Sequence, residues 1–383
     1  MEKNRKKRFW IVMISLGALS LVLNGLTFVN GFADFYMDHF YLIFSAPIAK
    51  VVGLIPFSVT AVLIVVTVLY CLFLLVCALI LPFRHKKEKY VRFFMRILRG
   101  AIAAVLVFVL LITLTYLVPS RQSKLEINGH GNKEYSTEEL KILRNYIVEN
   151  LNEMSVQMER DEYGFAAYSG DREAEMKKTF LKFAEENPRF RGGYVKSKNA
   201  VISKINYYQG ILSTTYAPTM EINENRYLSQ VNKPQTHFHE LAHVKGYYYE
   251  DEANYWSFRI ATQSDNAFIR YSGWQLAYSY VDNAFYLSVD NGVDQDEYFE
   301  QIQLNEGAAW DSFHYWDYGA EMKFLEELSE QEEEFLTETA EKIDQVDDKV
   351  DEIAEPYIPK TYYDHVTYLL LQYYDGILYN KGE

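Results

Sequence analysis

Cysteine is almost missing from this sequence: 383 residues hold two, Cys71 and Cys77, both inside one apolar run. Residues 119–383 hold none, which excludes a disulfide framework and a thiolate metal site there. Positive charge is scarce in the same stretch. Residues 1–118 carry 13 Lys/Arg against 4 Asp/Glu, a balance of +9; the total is −14, so residues 119–383 carry −23. So acidic a region is a poor partner for nucleic acid. Internal repeats and low-complexity tracts are absent. No Asp, Glu, Lys or Arg interrupts the three longest apolar runs, which leaves a transporter without an ion path. What is present is a 49% hydrophobic and 16% aromatic chain, ample for a buried core.

The three apolar runs cover about residues 9–29, 57–81 and 102–118, each near the ~20 residues that cross a bilayer core as a helix. The first follows a basic head, "KNRKKR". It is rather long for a cleaved signal and has no clean small-x-small site after it, so a retained anchor is expected. Lys and Arg placement predicts the orientation. The head and the connection "RHKKEKYVRFFMRILR" are basic, whereas residues 30–56 hold only Lys50 beside Asp34 and Asp38. Both basic segments are therefore expected in the cytoplasm, and residues 119–383 outside. The half-apolar segment at about 34–54, interrupted by Pro47 and followed by Pro56, reads as interfacial or re-entrant.

Residues 119–383 are expected to form one domain. "TEELKILRNYIVENLNEMSVQM" has apolar residues at helical spacing behind a Ser136/Thr137 cap. Residues 250–288 and 296–328 read as further helices, "EEEFLTETAEKIDQVDDKVDEI" as a solvated amphipathic helix, and residues 362–379 as a last one. Alternation of the strand type is confined to "AVISKINYYQGILSTTYAPTMEIN", with Gly210 as a turn between two short strands. The fold class expected is a membrane-anchored, mainly α chain: three N-terminal transmembrane helices in residues 1–118, then an α+β domain with a small β element.

"HFHELAHVKGYYYEDEAN", residues 237–254, carries the chemistry. On a helix, His239 and His243 lie four apart on one face and can aim both imidazoles at one ion. Glu240, one step round, can then take a proton from a water activated by that ion. This is the HExxH spacing of zinc peptidases. The plain alternative is an ordinary helix bearing two surface histidines. Leu241 and Ala242 supply the helix's other face, and Gly246 is placed to end it. A catalytic zinc takes three protein ligands and keeps one position open. A third histidine at 249 would extend the motif, but Tyr249 stands there, so a carboxylate is required: Glu250 or Glu252, with Asp251 behind them.

"EDEAN" is similar to the E-x-x-A-[DN] helix of the gluzincin peptidases. That resemblance implies Glu250 as the third ligand and Asn254 as the residue that orients a histidine. The gap of seven residues from His243 to Glu250 is short, and Glu252 stays open as the rival. Over a longer span the chain resembles a bacterial membrane family catalogued as domain of unknown function 3810. The stretches that carry the likeness are "FADFYMDHFYLIFSAPIAKVVGLIPFSV", "GILSTTYAPTMEINEN", "HELAHVKGYYYEDEANYW", "FIRYSGWQLAYSY" and "TYYDHVTYLLLQYY". Where the family pattern runs closer to Y-x-P-F-T-x-E, this chain has "YAPTME". The resemblance implies a zincin-like domain tethered to the bacterial cytoplasmic membrane, and it brings no substrate.

Other residues complete the expectation. His237 points away from His239 and reads as helix-entry surface. A donor for a tetrahedral oxyanion is wanted from a later segment; Tyr362, Tyr363, His314 and His365 are the candidates. The strand "GILSTTYAPTMEIN" is either an edge that pairs with extended substrate or a structural hairpin. The leading reading is a multi-pass, membrane-bound zinc metallopeptidase acting on a peptide or protein outside the cytoplasm. Its rival is a non-catalytic sensor or binding module on the same fold.

Overall fold

The computed structural model describes residues 2–131, 133–290, 295–354 and 365–380. They divide into two units, Met1–Ser123 with Tyr216–Glu221, and Lys124–Thr215 with Ile222–Glu383.

The first unit holds α1 (Glu2–Leu26), α2 (Phe32–His39), α3 (Tyr41–Gly53), α4 (Val59–Arg84) and α5 (Glu88–Ile112). Three stretches are long and apolar enough to cross a membrane: Asn4–Leu26, Val59–Arg84 and Glu88–Arg121. The last continues α5 through a π turn, Thr113–Leu117, and a 3₁₀ turn, Pro119–Arg121. Most apolar side chains of α4 lie exposed, Leu63, Val65 and Leu69 among them. A helix apolar on all sides and not buried by protein suits an apolar solvent. The third long helix begins at Glu88, well before the expected 102. The basic connection is itself helical, since Lys and Arg are good helix formers. Pro47 sits inside α3 without ending it. The segment Tyr216–Glu221 joins this unit through Thr60 and Thr219, whose hydroxyls share a 2.7 Å hydrogen bond. The Val59 N–H also donates to Glu221 (2.9 Å) and the Tyr41 hydroxyl to the Met220 sulfur (3.8 Å).

The second unit runs α6 (Thr137–Ser155), β1 (Glu159–Arg160), β2 (Ala166–Ala167), α7 (Arg172–Glu186), β3 (Lys198–Asn199), α8 (Ser203–Tyr208), β4 (Ser213–Tyr216), β5 (Glu221–Glu224), α9 (Asn232–Val244), α10 (Glu250–Thr262) and α11 (Ala267–Asp290). Then come α12 (Gln295–Glu300), α13 (Glu306–Ser312), α14 (Tyr318–Glu327), α15 (Glu330–Ala354) and α16 (His365–Tyr374). β1 and β2 pair antiparallel; the other sheet has the order β3-β5-β4, with β3 parallel to β5 and β4 on an edge. The mainly helical class with small β sheets is what the sequence predicts.

Local signals explain the helix ends. Ser136 and Glu139 form a full capping box on α6. Residues 250–288 and 296–328 are helical as expected, in separate helices whose starts are set by Asn266, Asn305 and Asp317. Those side chains accept from Ile269, Ala308 and Ala320 N–H groups and so start new helices. Gly210, at φ +71°, follows α8 and does not join two strands; the turn between β4 and β5 is residues 217–220, with Met220 at φ +52°.

The core is built from one face each of α6 (Leu143, Ile147, Leu151), α10 (Tyr255, Phe258), α11 (Tyr271, Trp274, Val281, Phe285) and α16 (Val366, Leu369, Leu370). The α6 triplet repeats at spacings of four, the helical period. Two hydroxyls fix the start of α9 against this core: Ser272 accepts from the Gln235 N–H and donates to the Val231 carbonyl, and Ser257 donates to the Gln235 carbonyl. Gly273 lets α10 and α11 approach, because a Cβ there would stand 2.6 Å from the Ala261 Cβ.

Two effects oppose at that glycine. Helix propensity favours alanine by about 1 kcal/mol, while overpacking costs about 1–3 kcal/mol. The contact is backbone-mounted and cannot swing aside, so Gly273→Ala should lower the thermal midpoint of the purified protein. A raised midpoint would show that the two helices do not meet there.

Candidate metal centre

α9 ends in a Schellman turn. The Tyr247 N–H donates to the Ala242 carbonyl and the Gly246 N–H to the His243 carbonyl, with Gly246 at φ +91°. The turn places the Tyr247 carbonyl 2.7 Å from His243 Nδ1. Three residues on, α10 begins, and its first residue is Glu250.

His239 Nε2 lies 3.1 Å from one Glu250 oxygen and His243 Nε2 3.4 Å from the other. The three donor atoms lie within 4.8 Å of one another. Ligand atoms 2.0–2.2 Å from a tetrahedral zinc are roughly 3.4 Å apart, so the spacing suits such an ion. The outer nitrogens fit too. His239 Nδ1 is 2.8 Å from Asn254 Oδ1, and His243 Nδ1 faces the Tyr247 carbonyl. Both partners are acceptors, so each Nδ1 carries a proton, and each Nε2, once deprotonated, can offer its lone pair to an ion.

Electrostatics follow from the same geometry. Burial pushes the His243 imidazole down, but the Glu250 carboxylate, aided by Glu240, outweighs it and raises it to about 9. Burial would raise Glu250, and the two imidazoles instead hold it well below the usual carboxylate range. Glu252 behaves oppositely. It is buried, accepts from the Leu125 N–H (2.7 Å), and burial pushes it up to about 8.

Glu240 is 4% exposed and stands on the wall of a cleft of about 380 Å³ beside His239, Glu250 and Asn254. Thr215, on β4, donates to Glu240 Oε2 (2.6 Å) and to its carbonyl (3.1 Å). Tyr280 also lines the cleft, and its hydroxyl accepts from Asn254 Nδ2 (2.9 Å). Neither Thr215 nor Tyr280 is singled out by the sequence reading. Each lies in a stretch that reads as family-like, "GILSTTYAPTMEINEN" and "FIRYSGWQLAYSY", which was the available signal.

The residues named from sequence thus separate. His239, His243, Glu250, Glu240 and Asn254 come together; Glu252 does not. His365 pairs with Asp251 at 2.8 Å, and His314 lies against Trp310 and Phe165; neither is among the described residues lining the cleft. Tyr362 and Tyr363 lie outside the described residues. His237 corrects the expectation of a surface residue. It is fully buried, with its ring 5.0 Å from that of Tyr194, and burial lowers it to about 3, which keeps it neutral. α9 starts at Asn232, a full turn earlier than a helix entered at His237, so that position is interior.

The chain matches the family described as "Protein of unknown function (DUF3810)" over residues 36–311, more than half its length. It belongs to that family. No curated protein and no solved structure matches it.

A histidine titration checks the electrostatics. In metal-free protein, the His243 ring should stay protonated to about pH 9 by NMR, and Glu250→Gln should bring that midpoint down. A folded value above the ordinary 6.5 stabilises below pH 6.5 and is lost as pH rises through about 9; the depressed Glu250 stabilises above 4.5. The pair therefore contributes most between those two ordinary values. An unmoved midpoint in Glu250→Gln would refute the pairing.

Proposed function

We propose that this protein is a membrane-anchored zinc metallopeptidase. His239, His243 and Glu250 hold the ion, and Glu240 serves as general base. The observation that carries this reading is the convergence of both Nε2 atoms on the Glu250 carboxylate at ligand spacing, with Glu240 on the wall of the same cleft. Zinc, when bound, supplies Lewis acidity toward a peptide carbonyl and toward water. The chain's own residues do the rest. Glu240 accepts the proton of the attacking water and returns it to the leaving amine. Thr215, donating to Oε2, fixes that carboxylate's direction. Asn254 holds the His239 ring. β4 is an edge strand, and Gly210–Ser213 line the cleft, so an extended peptide has a strand to lie against.

The basic stretches at the starts of α1 and α5 orient the helices with those ends in the cytoplasm. A reporter active only outside the cytoplasm should therefore work when fused after residue 125 and stay silent near residue 90. The opposite pattern would reverse the orientation.

Three carboxamide variants of the full-length protein separate ligand, base and bystander. Glu250→Gln should lose most of its zinc by metal analysis, while Glu252→Gln keeps it; the reverse would move the third ligand to Glu252. Glu240→Gln should stay folded and zinc-loaded, with peptide cleavage reduced about 10²–10⁴-fold. If wild type cleaves nothing in a peptide library and Glu240→Gln complements a deletion strain as well as wild type does, the chain is a binding module on this fold; equal cleavage by the two would move the base away from Glu240.

A further inference from the structure

The first unit carries a second feature that the metal centre does not use. Lys89, Arg92, Phe93, Arg96, Arg99 and Gly100 recur at spacings of three and four along α5, so they form one stripe. Opposite the stripe, α1 contributes Arg5, Lys6 and Phe9, and together these nine residues line a cleft of about 900 Å³. Six of the nine are cations, and none of the described lining residues is a carboxylate. Glu88, just outside, reaches Arg92 at 3.7 Å, but both side chains are more than half exposed, which makes that pair weak. Cations repeated at helical spacing repel one another, and with Arg5 of α1 lining the same cleft as Lys89, Arg92, Arg96 and Arg99 of α5, an anion there would relieve that repulsion.

The position of the cleft narrows the kind of anion. Arg99 is the last charged residue before the apolar run of α5, and on α1 the cations stop at Arg8, ahead of Phe9 and Trp10. Both helices are long and apolar enough to cross a membrane, so the cleft sits where headgroups meet hydrocarbon. A soluble phosphate would use only its polar half. A lipid would use both: its phosphate among the arginines, its chains beside Phe9 and the exposed Phe93, which line the same cleft. Arginine forks suit phosphate oxygens in particular.

We propose that this cleft binds the phosphodiester headgroup of an anionic phospholipid. Arg96 and Arg99 form its inner wall, with Arg5, Lys6, Lys89 and Arg92 completing it. Binding there holds α1 against α5 at their charged ends.

The test uses full-length protein in detergent, with bound lipid read by native mass spectrometry during titration with phosphatidylglycerol or phosphatidylcholine. Wild type should retain phosphatidylglycerol preferentially. Arg96→Gln with Arg99→Gln should weaken that binding roughly 30-fold, about fivefold per cation removed. Lys86→Gln with Lys87→Gln removes the same charge outside the cleft and should leave it nearly unchanged. Equal retention of the two lipids by wild type would overturn the proposal, and this comparison stands even if a variant fails to fold. So would equal losses in both double variants, which would mean general surface charge. Displacement of phosphatidylglycerol by inorganic pyrophosphate at comparable concentration would also overturn it, in favour of a soluble phosphate.

Discussion

The candidate site depends on one constraint: a carboxylate and two imidazoles must share a largely buried space without leaving any charge unanswered. Ionised Glu250 alone would be costly there. Between His239 and His243 it becomes favourable, and it also occupies the first position of α10, where the helix dipole favours an anion. The surrounding structure serves that convergence. The Schellman turn after α9 sends the chain back within a few residues and presents a carbonyl to His243. Asn254, one turn into α10, reaches back to His239. Ser257 and Ser272 hold the first turns of α9 against α10 and α11. A flexible connection at any of these places would leave the ligands free to separate.

Much of this was legible because it is local. HELAH fixes two imidazoles on one helix face whatever the fold, and Gly246 signals the left-handed residue that ends the helix. The Ser136–Glu139 box was readable in the same way, as were the three long apolar helices. Choosing between Glu250 and Glu252 was not, since both lie in the first turn of one helix. The contact that sets them apart is tertiary: the Leu125 N–H donates to the Glu252 carboxylate while Glu250 lies beside the two imidazoles, and no pattern in "YYYEDEAN" announces that. Thr215 and Tyr280 were missed for the same reason, being far in sequence from the residues they touch.

Other expectations failed where burial overrides polarity. His237 looked like a surface residue because it is polar and sits beside the motif, yet α9 begins early enough to turn it fully inward, where it stays neutral against Tyr194. Gly210 looked like a hairpin turn because β-like alternation surrounds it, but residues 203–208 are helical and the strands start later. Within the helical stretches expected over 250–288 and 296–328, Asn266, Asn305 and Asp317 mark where one helix gives way to the next.

The segment Tyr216–Glu221 bears on how this protein can be taken apart. The chain leaves the second unit after Thr215, forms its tight turn among residues of the first, and returns at Ile222. Cutting after residue 118 would therefore leave a loose end in the middle of the product, not at its terminus. Met220, with no exposed surface in the intact chain, would lose the Tyr41 hydroxyl, Thr219 would lose Thr60, and Glu221 the Val59 N–H. The frayed turn would sit directly beside the strand residue that steadies Glu240. In a fragment prepared that way Thr215 and Glu240 would be held less firmly than in the whole chain, so its behaviour would not stand for that of the whole chain.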